Sequence, residues 1–236
     1  PFEWHDAPIL LISGSRKPTF SEDEIKKLRT FAYQGGTILS ITECGGAGFK
    51  TGIREIYRKA FPRYEMRKIA PGHTLYTAHE KLNGTPPVSI LSNGVRPLVI
   101  HTDYDVAKSW QSRKYATQKL MFYFGVNVSR YVLGQWSDLL PRGKTYWPFP
   151  ADTGGLKTVK IARVKYGGNY DPEPLAMIAL DRRLSAEEKL HVEDSVVDMD
   201  KLGACTAKVA LLTGTDGMSL SPAQQNGLKA YVAGGG

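Results

Sequence analysis

The sequence predicts an α/β fold with a doubly wound, mostly parallel sheet, followed by the start of a second, similar unit. Short apolar runs typical of buried strands alternate with segments of helical periodicity, which favours a parallel sheet covered on both faces. Residues 8–36 are repeated at residues 208–236 with no gap. Residues 141–157 are dense in Pro, Gly and aromatic residues, as expected of a linker between two units.

Each copy of the repeat has the pattern of a strand, a turn and a helix. The apolar runs 9–12 and 209–212 are typical of buried parallel strands and end in a glycine turn. Ser21 and Ser221 stand at N-cap positions, and Glu24 completes a capping box in the first copy. We therefore expect the two copies to superpose. The matched positions include Gly14 with Gly214, Leu28 with Leu228, Phe31 with Tyr231, and the glycine pair 35–36 with 235–236.

The two copies differ in their continuation along the chain. The first leads at once into a predicted strand at 37–42, whereas the sequence stops at the corresponding place in the second. We therefore expect the chain to be cut from a longer protein. On this view residues 1–140 are the latter part of one unit and residues 158–236 are the beginning of the next. The first residues lack the basic and apolar segments of a signal peptide.

The remaining elements complete a flavodoxin-like order of strands and helices. Between the copies, the pattern predicts a helix at 52–61 that ends at Pro62, a hairpin-like stretch at 83–93, a strand at 95–101, and a helix at 113–123 that leads to the apolar stretch 128–133. After the linker, it predicts a strand at 159–164, a helix at 172–184 and a short strand at 191–197.

Composition restricts the classes of function. Hydrophobic residues make up 42% of the 236 residues, enough for a substantial core, and no apolar run is long enough to cross a membrane. Two cysteines, Cys44 and Cys205, are too few for a disulfide framework and lack C-x-x-C spacing. The net charge is +8, with cations concentrated in residues 54–68 and 108–119. We interpret these as solvated helix faces and expect no nucleic-acid binding, because no recognition motif accompanies them.

Cys44 is the candidate nucleophile. It follows the predicted strand at 37–42, and the carboxyl ends of strands are where α/β folds place their ligands. A thiol beneath a helix N-terminus, with His73 or His101 as its base, would suit nucleophilic catalysis. The alternative interpretation is a small residue beside a glycine turn.

The residues around Cys44 are candidates for ligand binding. Backbone N–H groups of Gly45, Gly46 and Gly48, which precede a helix, can cradle an anion. Alternatively, these glycines let the strand turn closely against its helix. Because both neighbouring strands are expected to be parallel, their carboxyl ends should meet at one edge of the sheet. The residues expected to gather there are Glu43, Cys44, His73 and Asp103.

A metal site is a further hypothesis for this edge. His101, Asp103 and Asp105 alternate along an extended segment, and with Glu43 they would offer ligands that metals accept. Against this, Asp and His at the end of a strand commonly cap the next turn.

Several stretches, taken in order, resemble the bacterial DUF4159 family. They are the strand and turn at 9–15, the helix at 21–36, the strand and glycine run at 37–46, the loop at 62–73, residues 96–103 with Trp110, and residues 124–133. The opening strand of the family's unit, with its Arg-x-x-Tyr-x-Gly pattern, appears after the linker at Arg163, Tyr166 and Gly168. The resemblance therefore implies tandem copies of the family unit, the second of them truncated.

The family is grouped with class I glutamine amidotransferase-like folds, and the resemblance implies such a fold here. In those enzymes the nucleophilic Cys lies on the sharp turn directly after a core strand. Thr42 occupies that place in this sequence, and Cys44 comes two residues later. The resemblance to amidotransferases therefore does not extend to their catalytic pattern.

We expect a non-catalytic or degenerate amidotransferase-like domain that binds a ligand or a protein within a larger bacterial protein. One alternative is a Cys-dependent hydrolase or amidotransferase-like enzyme that uses Cys44. A second is binding of an anionic polymer through the basic helix near 54–68. No cofactor is implied. The expected partners are other domains or chains of the parent protein and a small anionic ligand, and a location in the bacterial cell envelope or periplasm is preferred.

Overall fold

A computed structural model describes residues 7–133 and 156–236. They belong to two compact units, Pro1–Thr145 and Tyr146–Gly236. The first unit contains a five-stranded sheet and the second a three-stranded sheet. Most of the predicted linker, 141–157, lies outside the described residues. Within the described part of the chain, no helix combines the length and the apolarity that crossing a membrane requires.

The first unit has a parallel-rich α/β sheet, compatible with a flavodoxin-like, doubly wound fold. Its strands are β1 (Ile9–Gly14), β2 (Thr37–Thr42), β3 (Met66–Lys68), β4 (Val88–Ser92) and β5 (Pro97–Thr102), in the spatial order β1-β2-β5-β4-β3. β1, β2 and β5 are parallel, and β4 and β3 add two antiparallel pairings. The helices are α1 (Glu22–Tyr33), α2 (Ala47–Ala60), α3 (Val106–Gln111) and α4 (Lys119–Leu133), with a 3-10 helix at Thr74–Thr77.

Apolar side chains cover both faces of this sheet. On one face, α1 and α2 bury Phe31 against Ile38 of β2. On the other face, α4 and the 3-10 helix bury Phe124 in the core that holds Ile41 of β2. Successive residues of a strand point to opposite faces, so a strand in the middle of a covered sheet is buried throughout. All six residues of β2 are buried.

The helix predicted at 113–123 has the wrong bounds, because only residues 119–123 of that range are helical. α3 ends at Gln111, Arg113 takes a left-handed conformation with φ of 52°, and α4 then runs as one helix from Lys119 to Leu133. Gly125 does not interrupt α4. A Cβ at this position would lie 3.1 Å from the ring of Trp110, so the glycine allows the indole to pack closely on the helix.

Three other predicted boundaries need correction. α2 begins at Ala47, before the predicted start at residue 52, because Gly46 is its N-cap and Gly48 already lies in its first turn. β5 begins at Pro97 and not at residue 95. The stretch 83–93 is not a separate hairpin, since its only strand is β4, which pairs antiparallel with β5.

The second unit contains a parallel sheet in the order β7-β6-β8. Its strands are β6 (Lys157–Lys165), β7 (Leu190–Asp198) and β8 (Val209–Leu211), and its helices are α5 (Ala176–Glu187) and α6 (Pro222–Ala233), with a 3-10 helix at Met199–Ala204. Nine residue pairs join β6 to β7, but only three join β6 to β8. Arg163 of β6 forms ion pairs with Asp171 at 3.1 Å and with Asp194 at 2.7 Å.

The repeated segment forms a strand, a turn and a capped helix in both units. β1 leads to α1, and β8 leads to α6. Ser21 and Ser221 are the N-caps, and each completes a capping box, with Glu24 in the first copy and Gln224 in the second. The predicted strand and helix are thus present in each copy, although β8 ends one residue before Leu212.

Candidate functional site

The loops after β2 and β5 meet at one edge of the first sheet, which we call the carboxyl edge. β2 and β5 are parallel neighbours with Ser40 opposite His101, so both end at this edge. The Asp105 carboxylate accepts the Cys44 backbone N–H at 2.8 Å and so joins the two loops. Its other oxygen accepts the Lys108 N–H at 3.0 Å and caps α3.

Cys44 lies in a tight turn between β2 and α2. The Gly46 N–H donates to the Glu43 carbonyl at 2.9 Å, and the central residues Cys44 and Gly45 have φ values of 51° and 63°. Positive φ at both central residues is the signature of a type I′ turn. The left-handed backbone of Cys44 is therefore explained by turn closure and by the hydrogen bond to Asp105.

The glycines after Cys44 allow close packing of the loop that follows β1. A Cβ on Gly46 would overlap with the Ser15 carbonyl oxygen, and a Cβ on Gly48 would lie 3.1 Å from the Lys17 nitrogen. A Cβ on Gly45 would meet no other atom within 4 Å, so space does not require glycine there. Its positive φ does, because that conformation favours glycine. Of the two interpretations offered by the sequence, close backbone approach accounts for Gly46 and Gly48, and the turn itself accounts for Gly45.

A chain of hydrogen bonds, which we call the Asp103 network, runs from the core to the carboxyl edge. Ser40 Oγ lies 2.8 Å from His101 Nδ1, and His101 Nε2 lies 3.0 Å from Asp103 Oδ1. Ser40 and His101 are fully buried, whereas the Asp103 side chain is partly exposed. Its Oδ2 atom accepts from Lys50 Nζ at 2.9 Å and from Arg54 Nη2 at 3.3 Å.

One face of α2 supplies the basic end of the Asp103 network. Lys50, Arg54 and Tyr57 follow at intervals of four and three residues, which places them on the same side of a helix. Tyr57 is buried, and this burial raises the pKa of its phenol, an effect that the neighbouring Ser40 hydroxyl opposes. Among the described residues, the phenol faces Ser40 without a hydrogen bond of regular geometry.

Protonation states in the Asp103 network follow from its surroundings. Burial lowers the pKa of His101, and the hydrogen bond to Asp103 opposes this only in part. Burial alone would raise the pKa of Asp103, but hydrogen bonds from Lys50 and His101 and the charge of Arg54 bring it below its usual value. A neutral imidazole beside a carboxylate must donate from Nε2, since the carboxylate can only accept. Nδ1 then accepts the Ser40 hydroxyl proton.

Ser40, His101 and Asp103 have the composition of a hydrolase triad but not its arrangement. In a triad, Nε2 of the histidine faces the serine and Nδ1 faces the aspartate, whereas here the two ring nitrogens are exchanged. Ser40 also lies in the middle of β2 and is fully buried, so substrate has no access to its hydroxyl. The network therefore supports the structure and does not attack a substrate.

His73 has a structural role. Its loop leaves β3 at the carboxyl edge, but its Nδ1 accepts the Leu75 N–H at 3.1 Å and caps the 3-10 helix. The imidazole packs edge-on against the ring of Tyr131 at 5.4 Å, and burial lowers its pKa. Within the described residues, no hydrogen bond joins His73 to Cys44.

The candidate metal ligands are engaged in separate interactions. His101 is hydrogen-bonded at both nitrogens, Asp103 faces two cations, and Asp105 caps α3. Across residues 7–133 and 156–236, no group of three or more His, Cys, Asp or Glu side chains is placed to hold a metal ion. At the end of β5, the His101 side chain lies beneath α2, whereas Asp105 belongs to the turn that begins α3. The metal hypothesis therefore receives no support.

A cleft of about 430 Å³ opens beside Cys44 at the carboxyl edge. It lies between the β2–α2 turn and the segment that contains α3 and the start of α4. Two lysines, hydroxyl groups and an amide contribute to its walls, which therefore favour a polar, negatively charged group. The lining residues used below are Cys44, Asp105, Lys108, Ser112, Lys114 and Gln118.

The sequence interpretation does not identify four members of the Asp103 network. Ser40, Lys50, Arg54 and Tyr57 are absent from its site candidates, although Arg54 belongs to the basic helix. One signal is available, because Ser40 and His101 are polar residues in strands rich in apolar residues, and buried polar side chains need partners.

The comparison with protein families gives a match within the first unit. The family model described as "Domain of unknown function (DUF4159)" matches residues 2–133, which include every element from β1 to α4 and therefore the whole carboxyl edge. No curated protein matches the chain as a relative. Since the match covers more than half of the sequence, the chain belongs to the DUF4159 family.

Proposed function

We propose that residues 7–133 form a non-catalytic, degenerate amidotransferase-like domain that binds a small anionic ligand at the carboxyl edge. One observation carries the non-catalytic part of the proposal. His101 is the histidine nearest in sequence to the edge loops, and it is fully buried and hydrogen-bonded at both ring nitrogens. It therefore has no lone pair with which to activate Cys44.

The cleft supports the binding part of the proposal. Lys108 and Lys114 are exposed cations on its wall, and Gln118 and Ser112 add neutral hydrogen-bonding groups. Asp105 also lines the cleft, but its two oxygens already accept backbone N–H groups, which reduces its repulsion of an anion. Charge-assisted hydrogen bonds of lysine to an oxyanion are among the stronger polar contacts in proteins.

We further propose that the second unit begins another copy of the family unit within a larger bacterial protein. The repeat of the strand, the turn and the capping box supports this interpretation. Other domains of that protein are then the expected partners of a binding domain. Both proposals describe a domain that binds a ligand or a protein and does not catalyse a reaction.

Inorganic phosphate is the simplest probe of the proposed anion site. At ten times its dissociation constant, it should stabilise the chain by about 1.4 kcal/mol and raise the melting temperature by about 4 °C. The double variant Lys108→Ala/Lys114→Ala should lose most of this rise. The control variant Lys26→Ala/Lys27→Ala removes the same charge from exposed positions of α1. Phosphate should raise its melting temperature as much as that of the intact chain. An equal rise in both variants would mean a general charge effect and no site.

A Cys-dependent enzyme is the second candidate, because Cys44 is exposed and lines the cleft. We expect iodoacetamide at neutral pH to label Cys44 within about threefold of the rate for free cysteine, since His73 and His101, the two candidate bases, are engaged in other hydrogen bonds. Cys44→Ala identifies the labelled site, because Cys205 is the other thiol. This variant should bind phosphate as the intact chain does. Labelling more than about tenfold faster than free cysteine would favour the enzyme.

Binding of an anionic polymer through the basic helix has less support. Arg54 is bound to Asp103 at 3.3 Å, Lys59 lies 3.6 Å from Glu22, and Arg67 lies 3.2 Å from Glu65. These contacts neutralise part of the charge that would attract the polymer.

A further inference from the structure

The cleft at the carboxyl edge is larger than a single oxyanion requires. Its volume of about 430 Å³ lies within the range of roughly 300–1,000 Å³ that is typical of sites for small organic molecules. Inorganic phosphate would fill only a minor part of it. A ligand that matches the cleft therefore carries more than its anionic group, and the walls of the cleft indicate what the rest of the ligand is.

Tyr104 provides the aromatic part of the cleft wall. It lies in the loop between β5 and α3, and its side chain is 46% exposed. Its backbone is held on both sides, because its N–H donates to Thr102 Oγ1 at 3.1 Å and its carbonyl accepts the Val106 N–H at 2.9 Å. A tyrosine on a fixed backbone offers a ligand a large contact area at a low cost in conformational entropy.

The cationic part of the wall belongs to the same stretch of chain. Lys108 and Lys114 follow Tyr104 within the continuous segment that leads from β5 to α4. Backbone hydrogen bonds hold this segment in shape. The Lys114 N–H donates to the Ser109 carbonyl at 3.3 Å, and the Gln118 N–H donates to the Lys114 carbonyl at 2.8 Å. The cleft thus presents an aromatic ring and two cations on one preformed surface.

We propose that the ligand of the cleft is a small phosphate monoester that carries an aromatic ring. This inference rests on the proposed function, because it takes the anion site at Lys108 and Lys114 as given. The phosphate group has a charge of about −1.5 to −2 at neutral pH and binds the two lysines. The ring packs against Tyr104, where aromatic contact and burial of apolar surface both favour it.

Phenyl phosphate and methyl phosphate test this inference, since both are monoesters and only the first has a ring. Isothermal titration calorimetry of the intact chain should give phenyl phosphate a dissociation constant at least about fivefold below that of methyl phosphate. Lys108→Ala/Lys114→Ala should weaken the binding of both ligands at least about tenfold. Equal dissociation constants for two ligands that both depend on the lysines would overturn the inference and leave the anion site standing.

Variants of Tyr104 assign the preference for phenyl phosphate to its ring. Tyr104→Ala should bring the two dissociation constants to within about twofold and leave that of methyl phosphate unchanged. Tyr104→Phe keeps the ring and should keep the preference. Tyr115→Ala is the matched control, because Tyr115 is 49% exposed but is not among the residues that line the cleft. Equal losses of preference in Tyr104→Ala and Tyr115→Ala would contradict the role of Tyr104.

A phosphotyrosine side chain has the same chemistry as phenyl phosphate, so a peptide separates a small-molecule ligand from a protein ligand. A short peptide with a central phosphotyrosine should bind no more tightly than phenyl phosphate, because the contacts proposed here end at the phosphate and the ring. Binding at least about tenfold tighter would assign the cleft to a protein and overturn the inference. If phosphate, both monoesters and the peptide all fail to bind, the anion site itself is refuted, and this inference with it.

Discussion

Replacing Asp103 with asparagine is expected to lower the free energy of unfolding of the first unit by about 2–3 kcal/mol at pH 7. The carboxylate accepts from His101 at one oxygen and from Lys50 and Arg54 at the other. An amide is neutral, so the variant loses the charge that faces Lys50 and Arg54, and its single oxygen can replace only one of the two carboxylate acceptors. The partly exposed side chain keeps the expected loss below that of a fully buried ion pair.

The pH dependence distinguishes this effect from a general loss of packing. The folded-state pKa of Asp103 lies below its usual value, so its stabilising contribution is complete above the unfolded-state pKa of about 4 and is lost as the pH falls through the folded-state pKa. The gap between the intact chain and Asp103→Asn should therefore narrow below about pH 4. Denaturant unfolding measured across this range checks the prediction.

Glu65→Gln is the matched control for Asp103→Asn. Glu65 pairs with Arg67 at 3.2 Å, but both side chains are exposed, so the same acid-to-amide change should cost less than about 0.5 kcal/mol. A similar loss in both variants, or a gap that stays constant with pH, would show that Asp103 does not act through its charge.

The elements with local signals could be predicted from the sequence. A capping box needs only two residues three positions apart, and both repeat copies contain one at the predicted serine. The meeting of the loops that carry Cys44 and Asp105 also follows from parallel strands, because their carboxyl ends share an edge. The capping boxes depend only on short-range sequence patterns. The meeting of the two loops depends only on the rule that parallel strands end at the same edge of a sheet.

The Asp103 network could not be predicted, because it depends on strand order. Ser40 meets His101 only since β5 inserts beside β2, with β4 and β3 placed outside it. Its basic end further depends on the start of α2 at Ala47, which sets the face that carries Lys50 and Arg54. β4 is antiparallel to β5, which makes this order possible. The alternation of strands and helices in the sequence instead predicts a mostly parallel sheet.

The roles of the glycines after Cys44 also depend on tertiary contacts. A glycine run before a helix is equally typical of an anion cradle and of close packing. The position of Ser15 and Lys17 against Gly46 and Gly48 favours close packing. Each glycine can therefore be tested for its own physical constraint.

Gly46→Ala is expected to lower the free energy of unfolding by about 3 kcal/mol, the upper part of the range for overpacked sites. Gly46 has φ of −61°, which any residue adopts, so alanine adds no backbone strain there. Its Cβ would instead overlap with the carbonyl oxygen of Ser15, a backbone atom that moves only if the loop after β1 moves. Denaturant unfolding of the variant measures the cost.

Gly45→Ala is the matched control, because it adds the same methyl group one residue earlier. Its φ of 63° imposes the left-handed penalty of about 1 kcal/mol, but no atom lies within 4 Å of the added Cβ. Gly46→Ala should therefore cost more than Gly45→Ala, although only Gly45 is left-handed. The reverse order would mean that the turn conformation, and not the approach of Ser15, requires glycine here.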